Sequence, residues 1–198
     1  TDGYWNLALS AGSVGNQDRA VPALPPDHPP LPTGFTSGSP FPSPYYEGPT
    51  ASSNTLADLA MRYWINDIRT DFDNKVQDKI APWQHVTLYG LSIGARGSVD
   101  ATGLAAITAG PTNWPQPMGT GGPDSIDDLW HAALNSRGKY FNAANPQQLA
   151  ESIVSALADF TGPNGTGTAI GTSGAQVTAA KAAAPLWLSS RRALLNRS

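Results

Sequence analysis

The chain has 198 residues with a formal net charge of −3, and it contains 20 glycines and 18 prolines. The absence of cysteine excludes disulfides, thiolate metal sites and a cysteine nucleophile. The acidic balance disfavours nucleic acid as a partner, and no apolar run is long enough to span a membrane. Because the chain starts with Thr and lacks an apolar leader, we expect a mature protein or a fragment whose signal peptide lay upstream.

The first 53 residues are typical of a strand exit followed by an irregular insertion. Residues 1–6 read TDGYWN, and residues 7–53, hereafter the insertion, are dense in Pro, Gly and Ser. Proline fixes φ and lacks an N–H donor, which favours extended segments and turns. The insertion is therefore either a surface segment, which we favour, or a polyproline ligand for a partner. Four aromatic side chains of the insertion are candidates to pack against the regular part of the fold: Phe35, Phe41, Tyr45 and Tyr46.

An amphipathic helix and a buried strand are predicted next. Thr55 and Asp58 have the spacing of a capping box, and apolar residues at helical spacing follow them. This pattern predicts a helix over residues 56–69. Residues 86–93 read VTLYGLSI, and their β-branched and aromatic content predicts a buried strand.

A long loop over residues 94–122, with one helical turn at 102–108, precedes a second predicted helix. Ser125 and Asp128 repeat the capping spacing, and an apolar stripe follows them. Glycine is the usual residue just after a helix, so Gly138 is predicted to end this one.

A short strand, KYFNA at residues 139–143, and a third helix complete the regular part. Asn145 as a cap and Pro146 at the first helical position are a strong start signal, and Gly162 ends the apolar stripe. Alternating helices and strands predict an α/β fold with parallel strands and flanking helices. Residues 54–162 would form this body, and residues 163–198 a flexible low-complexity tail.

The segment from Gly90 to Gly94, GLSIG, matches G-x-S-x-G, the pattern of a hydrolase nucleophile elbow. An elbow requires a helix directly after its serine, and a triad requires a later acid and then a histidine. The next residues, ARGSVDATG, begin a helix poorly, and the single later histidine, His131, lies in a predicted helix. We therefore expect Ser92 to be a strand residue and the chain not to be an enzyme. An α/β-hydrolase-like fragment is the alternative.

Histidines and aspartates offer two further candidate sites. The histidines lack the spacing of zinc ligands, so each is interpreted as an ordinary surface or edge residue: His28, His85 and His131. Three acids at the start of the second helix are explained by its dipole more simply than by a cation: Asp124, Asp127 and Asp128.

Four tryptophans could form a carbohydrate-binding platform. Trp64 and Trp130 have helical spacing and are better explained as core residues. Trp83 and Trp114 lie in predicted loops, so the carbohydrate-binding alternative is retained for these two residues.

Four sequence blocks resemble, in order, those of type IV pilus-tip adhesins of the PilY type. They read TDGYWN, SNTLADLAMRYW followed by DIR, WQHVTLYGLSIG and IDDLWHAALNSRGKYFNAANPQQLAESIVSAL. The chain is similar to the second half of the von Willebrand factor A domain of that family, in which TDG ends the central strand. The resemblance covers residues 1–6 and 53–160. It implies part of a Rossmann-like, three-layer fold whose N-terminal half lies upstream.

The resemblance also implies a metal ion-dependent adhesion site. In that family a divalent cation is held by an Asp-x-Ser-x-Ser loop, a distant Thr and the Asp of TDG, which is Asp2 here. Asp2 is thus a candidate ligand for Mg²⁺ or Ca²⁺ in the longer parent protein. No cofactor is expected for this chain by itself, because the other ligands would lie upstream.

The function implied is that of a non-enzymatic surface module for type IV pilus assembly, twitching motility and adhesion. Its location would be the cell surface, outer membrane or pilus tip of a Gram-negative bacterium. Minor pilins, pilus-tip proteins and a host or surface ligand would be its partners. A structural Pro-rich stalk is another alternative, which predicts no ordered helix over residues 56–68. We also expect the isolated chain to expose apolar stripes and to be unstable without the N-terminal half.

Overall fold

The structure is a computed structural model that describes residues 3–4, 14–49, 52–76, 81–110, 112–117 and 121–160. Its helices and strands are, in chain order, α1 (Leu56–Ile65), β1 (Gly90–Ile93), α2 (Ala101–Ala109), α3 (Pro123–Asn135), β2 (Tyr140–Ala143) and α4 (Pro146–Phe160). Three predicted features lie outside the described residues: Asp2 with its strand end, the helix stop at Gly162 and the tail over residues 163–198.

The two strands pair in parallel, as predicted. Gly90 lies opposite Tyr140 and Ile93 opposite Ala143. α3 connects the strands and packs against both of them as well as against α1, while α4 packs against β2. The α/β class with parallel strands is therefore confirmed. The wider three-layer sheet stays a prediction.

The strand predicted over residues 86–93 is only half as long in the structure. The N–H of Val86 donates to the carbonyl of Tyr63 (3.0 Å), and the N–H of Leu88 donates to Ser136 Oγ (2.8 Å). These donors are used by α1 and by the end of α3, so β1 begins only at Gly90. The segment is also less buried than predicted, because Val86 is 45% and Ile93 42% exposed. Its backbone partners are set by tertiary contacts.

The capping box predicted for α1 is confirmed, but the helix is shorter than predicted. Thr55 Oγ1 accepts from the N–H of Asp58 at 3.0 Å, and the Asp58 carboxylate accepts from the N–H of Thr55 at 2.9 Å. The predicted extension to residue 69 is wrong because Asn66 is extended, with φ −95° and ψ 140°. Its backbone N–H and its side-chain amide both donate to the carbonyl of Arg62.

Helices α2, α3 and α4 differ in how well their boundaries were predicted. α2 has nine residues in place of a single turn and begins after Asp100, whose carboxylate accepts from the N–H of Gly103. Ser125 does not cap α3, which begins at Pro123 after Gly122. The start of α4 is confirmed, since Asn145 Oδ1 accepts from the N–H of Gln148 at 3.0 Å.

The insertion supplies part of the hydrophobic core. Val21 and Phe41 are 2% exposed and pack with Met61, Trp64 and Trp83. Partly buried aromatic side chains complete this contact, namely Phe35, Tyr45 and Tyr46. The prediction that these aromatics pin the insertion is confirmed. A Pro-rich stalk would have no ordered helix over residues 56–68. This interpretation is wrong, because α1 is an ordered helix from Leu56 to Ile65.

An apolar stripe remains exposed on α4. The side chains of Ile153, Val154 and Leu157 are 41–56% exposed. This agrees with the expectation that the chain by itself exposes apolar stripes. Within the described residues, no helix has both the length and the apolar character required to cross a membrane.

Candidate functional site

Three buried carboxylates meet where the insertion contacts the helices. Asp18 and Glu47 come from the insertion and Asp58 from α1, and each side chain is at most 2% exposed. One oxygen from each lies within 4.8 Å of the other two. These three residues are called the acidic cluster below. Such proximity of buried negative charges is costly unless something offsets it.

Hydrogen bonds from the start of the insertion and from α1 position the acidic cluster. Asn16 Nδ2 donates to Glu47 Oε1 (2.5 Å), and the N–H of Gln17 donates to Asp58 Oδ1 (2.5 Å). Asp58 Oδ2 also accepts from the N–H and the hydroxyl of Thr55. The α1 capping residue therefore serves both its own helix and the cluster.

A turn just before α1 holds the insertion in register with the helix. Asn54 has φ 63°, a conformation that asparagine tolerates better than most residues. Its Oδ1 accepts from the N–H groups of Val14 and Gly15 at 3.0 and 2.8 Å, and its own N–H donates to the carbonyl of Gly15. The segment that carries Asp18 is thereby tied to the segment that carries Asp58.

Helix α3 lines the cluster with Asn135 and His131. Asn135 is fully buried, and its Nδ2 donates to Asp18 Oδ2 at 2.8 Å. His131 Nε2 lies 3.7 Å from the same Asp18 oxygen and 3.1 Å from the carbonyl oxygen of Tyr45. The imidazole ring stacks on Trp114, with a centroid distance of 4.6 Å. The expectation that His131 is a surface or edge residue is thus wrong.

The pKa values show how poorly the cluster tolerates negative charge. Burial raises the pKa of Glu47 from 4.5 to about 7, against the lowering effect of its hydrogen bonds with Asp18 and Asn16. Burial likewise raises the pKa of Asp18 well above its usual value, and the charges of Glu47 and Asp58 raise it further. The pKa of Asp58 is raised by burial, although the N–H groups of Gln17 and Thr55 oppose this.

His131 does not supply a compensating positive charge. Burial lowers its pKa from 6.5 to about 3, so the imidazole is neutral at pH 7. A neutral ring with its proton on Nε2 donates to the carbonyl of Tyr45. The contact with Asp18 is therefore a packing contact and not an ion pair.

Asp127 and Asp128 stabilise other segments and not mainly their own helix. Asp128 accepts from the N–H groups of Leu56 and Ala57 at the start of α1, at 2.9 and 3.0 Å. Asp127 accepts from the N–H and hydroxyl of Ser98 and from the N–H of Val99. Of the three acids first explained by the dipole of their helix, only Asp124 lies in the first turn of α3.

Ser92 does not have the surroundings of a catalytic nucleophile. Its side chain is buried in β1, and its Oγ lies 2.7 Å from the Tyr140 hydroxyl and accepts from Asn142 Nδ2 at 2.7 Å. The residues after Gly94 are irregular until α2 begins at Ala101. The helix that a nucleophile elbow needs directly after its serine is thus lacking, as predicted.

The remaining aromatic candidates belong to the core. Trp83 is fully buried and donates from Nε1 to the carbonyl of Trp64 at 2.7 Å. Trp114 is 3% exposed and donates to the carbonyl of Pro44 at 2.7 Å. Neither ring can serve as an exposed carbohydrate platform. His28 packs on Trp83, with a centroid distance of 4.7 Å.

Sequence reasoning missed the acidic cluster almost entirely. Asp18 and Glu47 lie 29 residues apart in an irregular segment, where no periodicity marks them, and Asn135 resembles an ordinary polar residue near a helix end. The capping position of Asp58 was the one available signal. Oxygen ligands of this kind suit hard divalent cations.

No family model matches the chain, and no solved structure matches it. The type IV pilus biogenesis factor PilY1 of Pseudomonas aeruginosa strain PAK is 33% identical over 177 residues, which include 75% of this chain. The protein of the same name from strain PAO1 is 32% identical over 179 residues, and that from strain UCBPP-PA14 is 29% identical over 183 residues.

The chain spans 14% of the length of each of these relatives. The similarity therefore concerns one segment of a much longer protein. About three quarters of this chain is related in sequence to a segment of the type IV pilus biogenesis factor PilY1.

Proposed function

We propose that this chain is a non-enzymatic module that takes part in type IV pilus assembly at the bacterial surface. The observation that carries the proposal is the sequence relation to PilY1, which extends over three quarters of the chain. The buried position of Ser92, with Tyr140 and Asn142 as its neighbours, supports a role without catalysis. Minor pilins or other pilus-tip proteins would be the partners, and the site of action the outer membrane or the pilus tip.

A pair of in-frame deletions in the source bacterium tests this role. One deletion removes residues 54–162, and the control removes residues 163–198. We expect the first to lower the amount of surface pilin that can be sheared from the cells and to abolish twitching, while the control retains both. An immunoblot verifies that the remaining protein is exported in each strain. Normal piliation and twitching after the first deletion would overturn the proposal.

Adhesion through a divalent cation is the finer part of the proposal. Asp2 would bind Mg²⁺ or Ca²⁺ together with ligands from the upstream half of the parent protein, and a carboxylate of the host or surface ligand would complete the coordination sphere. We expect Asp2→Ala to reduce attachment of piliated cells while surface pilin stays constant. The control is Asp27→Ala, which changes an exposed carboxylate of the insertion. Equal attachment of the two variants would count against a cation at Asp2.

A further inference from the structure

A buried amide oxygen at the acidic cluster lacks a hydrogen-bond donor. Within the described part of the chain, Asn135 Oδ1 has no hydrogen-bond partner, whereas the Asp18 carboxyl has a hydrogen bond with the Glu47 carboxyl when the two share a proton. Asn135 is not an acid, and it reaches the cluster directly because its Nδ2 donates to Asp18 Oδ2. Buried polar atoms are nearly always satisfied in folded proteins, and an ion is one reason why such an atom has no donor. The unpartnered Asn135 Oδ1 thus indicates a ligand at the cluster.

The charge of the cluster leads to the same conclusion. Asp18, Glu47 and Asp58 carry three formal negative charges within a few ångströms of one another and almost without solvent exposure. Besides burial, which is the largest cause, the charges of Glu47 and Asp58 raise the pKa of Asp18, and those of Asp58 and Asp128 raise the pKa of Glu47. Buried charges are normally paired with opposite charges or bound to metal ions. A divalent cation would offset most of this charge.

We propose that Asp18, Glu47 and Asp58, with Asn135 as a neutral fourth ligand, bind a Ca²⁺ ion that clamps the insertion onto α1 and α3. The ligand atoms would be one or both carboxylate oxygens of each acid and Oδ1 of Asn135. The hydrogen bonds that Asp58 receives from Thr55 and Gln17 orient its carboxylate within the cluster.

Ca²⁺ fits this set better than Mg²⁺. Ca²⁺ takes six to eight oxygen ligands in a flexible geometry, including carboxylates and amide carbonyls. Mg²⁺ demands near-octahedral geometry and keeps several waters. The ligands here are mostly carboxylates from separate chain segments, and their side chains are at most 2% exposed, which leaves little access for retained water.

The proposed ion would couple metal binding to the folding of the insertion. Asp18 and Glu47 lie on either side of Val21 and Phe41, the two insertion residues that are buried against Trp64 and Trp83. Fixing both acids to α1 would therefore hold the whole apolar contact in place. Because the ligands come from segments that meet only in the fold, the ion would bind the folded state and stabilise it.

Thermal unfolding at pH 7.5 with Ca²⁺ or with EGTA tests the site. It is measured both on the longest protein that contains this chain and on the chain as printed. At a hundredfold excess of Ca²⁺ over its Kd, we expect the Tm to rise by about 5–10 °C. Mg²⁺ at the same concentration should give a clearly smaller rise. A Mg²⁺ effect equal to that of Ca²⁺ would overturn the assignment to calcium.

Matched variants test whether the Ca²⁺-dependent rise in Tm comes from the acidic cluster. Glu47→Gln and Asp18→Asn keep the side-chain shape and remove one charge each, and both should lose the Ca²⁺-dependent rise in Tm. In EGTA neither should be less stable than the parent, because each relieves repulsion among the carboxylates. Asp127→Asn changes a buried acid outside the cluster and should retain the full rise.

Equilibrium dialysis with radioactive Ca²⁺ gives a second measurement that does not depend on thermal unfolding. We expect the parent to bind one more ion than Glu47→Gln at saturation. Equal binding and equal Tm shifts in the parent and in Glu47→Gln would overturn the site, and so would the absence of a Ca²⁺ effect in the parent. Neither result bears on pilus assembly, which is tested by deletion.

Discussion

Arg137 has a backbone conformation that its neighbours must compensate. It follows α3 with φ 64°, where glycine is usual, and the N–H groups of Arg137 and Gly138 donate to the carbonyls of Leu134 and Ala133. The guanidinium carbon lies 3.5 Å from the Trp64 ring centroid and 3.8 Å from that of Tyr45. Stacking of a planar cation on two rings explains why arginine is tolerated there.

Replacing Arg137 with lysine should therefore cost stability although the charge is kept. We expect Arg137→Lys to lower the free energy of unfolding by about 1–2 kcal/mol, because an ammonium group cannot stack on both rings. Urea denaturation measures the loss. Arg62→Lys, at an exposed position of α1, should leave the midpoint nearly unchanged. Equal midpoints for the two variants would contradict the stacking argument.

Two glycines should respond to alanine with opposite signs. A Cβ at Gly138 would collide with the backbone carbonyl of Leu88, whereas a Cβ at Gly103 would meet Val99 Cγ1 at 3.4 Å, an ordinary contact. Gly138→Ala should destabilise the chain by about 1–3 kcal/mol. Gly103→Ala should stabilise it by up to about 1 kcal/mol, because Gly103 lies inside α2. Thermal unfolding of both variants tests this, and destabilisation by Gly103→Ala would contradict it.

The start of α1 is capped from another helix as well as from its own. The first N–H groups of a helix lack partners within it, and Asp128 of α3 accepts from two of them, on Leu56 and Ala57. Asp128→Ala should cost about 1–3 kcal/mol by leaving both donors unsatisfied. Hydrogen exchange should then become faster in α1. The control is Asp100→Ala, which removes the cap of α2 and should speed hydrogen exchange in α2 alone. Faster exchange confined to α2 in both variants would show that Asp128 does not cap α1.

Asp128 should also make stability depend on pH. Burial raises its pKa from 3.8 to about 6, although the N–H groups of Leu56 and Ala57 oppose the rise, and Asp58 and Asp124 add repulsion. Because the folded-state pKa exceeds that of the unfolded chain, the folded state binds the proton more tightly. This stabilisation is complete below about pH 4 and is lost as the pH rises through about 6.

Urea titrations in EGTA across that window measure the effect. The free energy of unfolding of the parent should fall between about pH 4 and pH 6 relative to that of Asp128→Asn, which has no carboxylate to ionise. Parallel pH profiles for the two proteins would show that Asp128 does not titrate in this range.

The described residues bury an aromatic core and leave other apolar side chains exposed. Trp64 and Trp83 are fully buried, whereas Ile153 and Val154 of α4 and Ile93 of β1 are more than 40% exposed. Within the described residues the sheet consists of β1 and β2, and a sheet of two strands is stable only when other elements pack on it. We expect other parts of a longer protein to cover these surfaces.

The isolated chain should consequently be of low stability. We expect far-UV circular dichroism to show no cooperative unfolding transition above about 50 °C in EGTA. Addition of the segment that precedes this chain in its parent protein should raise the Tm and reduce binding of the dye ANS. A cooperative transition above that temperature for the chain by itself would contradict the prediction.

The sequence by itself determined the class of fold and the order of its elements. Helical spacing after Thr55, the Asn145-Pro146 start of α4 and the apolar run that ends at Ile93 are local signals, and the structure bears them out. The resemblance to pilus-tip proteins was also readable, because it rests on ordered blocks of residues. Local signals suffice for these features because capping and periodicity act over a few residues.

Only the tertiary structure decided where β1 begins, which helix Asp128 caps and which acids meet. Asp18, Glu47 and Asp58 are far apart in the chain, and an irregular insertion has no period from which their convergence could be read. The donors of Val86 and Leu88 were likewise taken by α1 and Ser136 through contacts distant in sequence. Such pairings depend on the packing of whole segments, which local propensity does not encode.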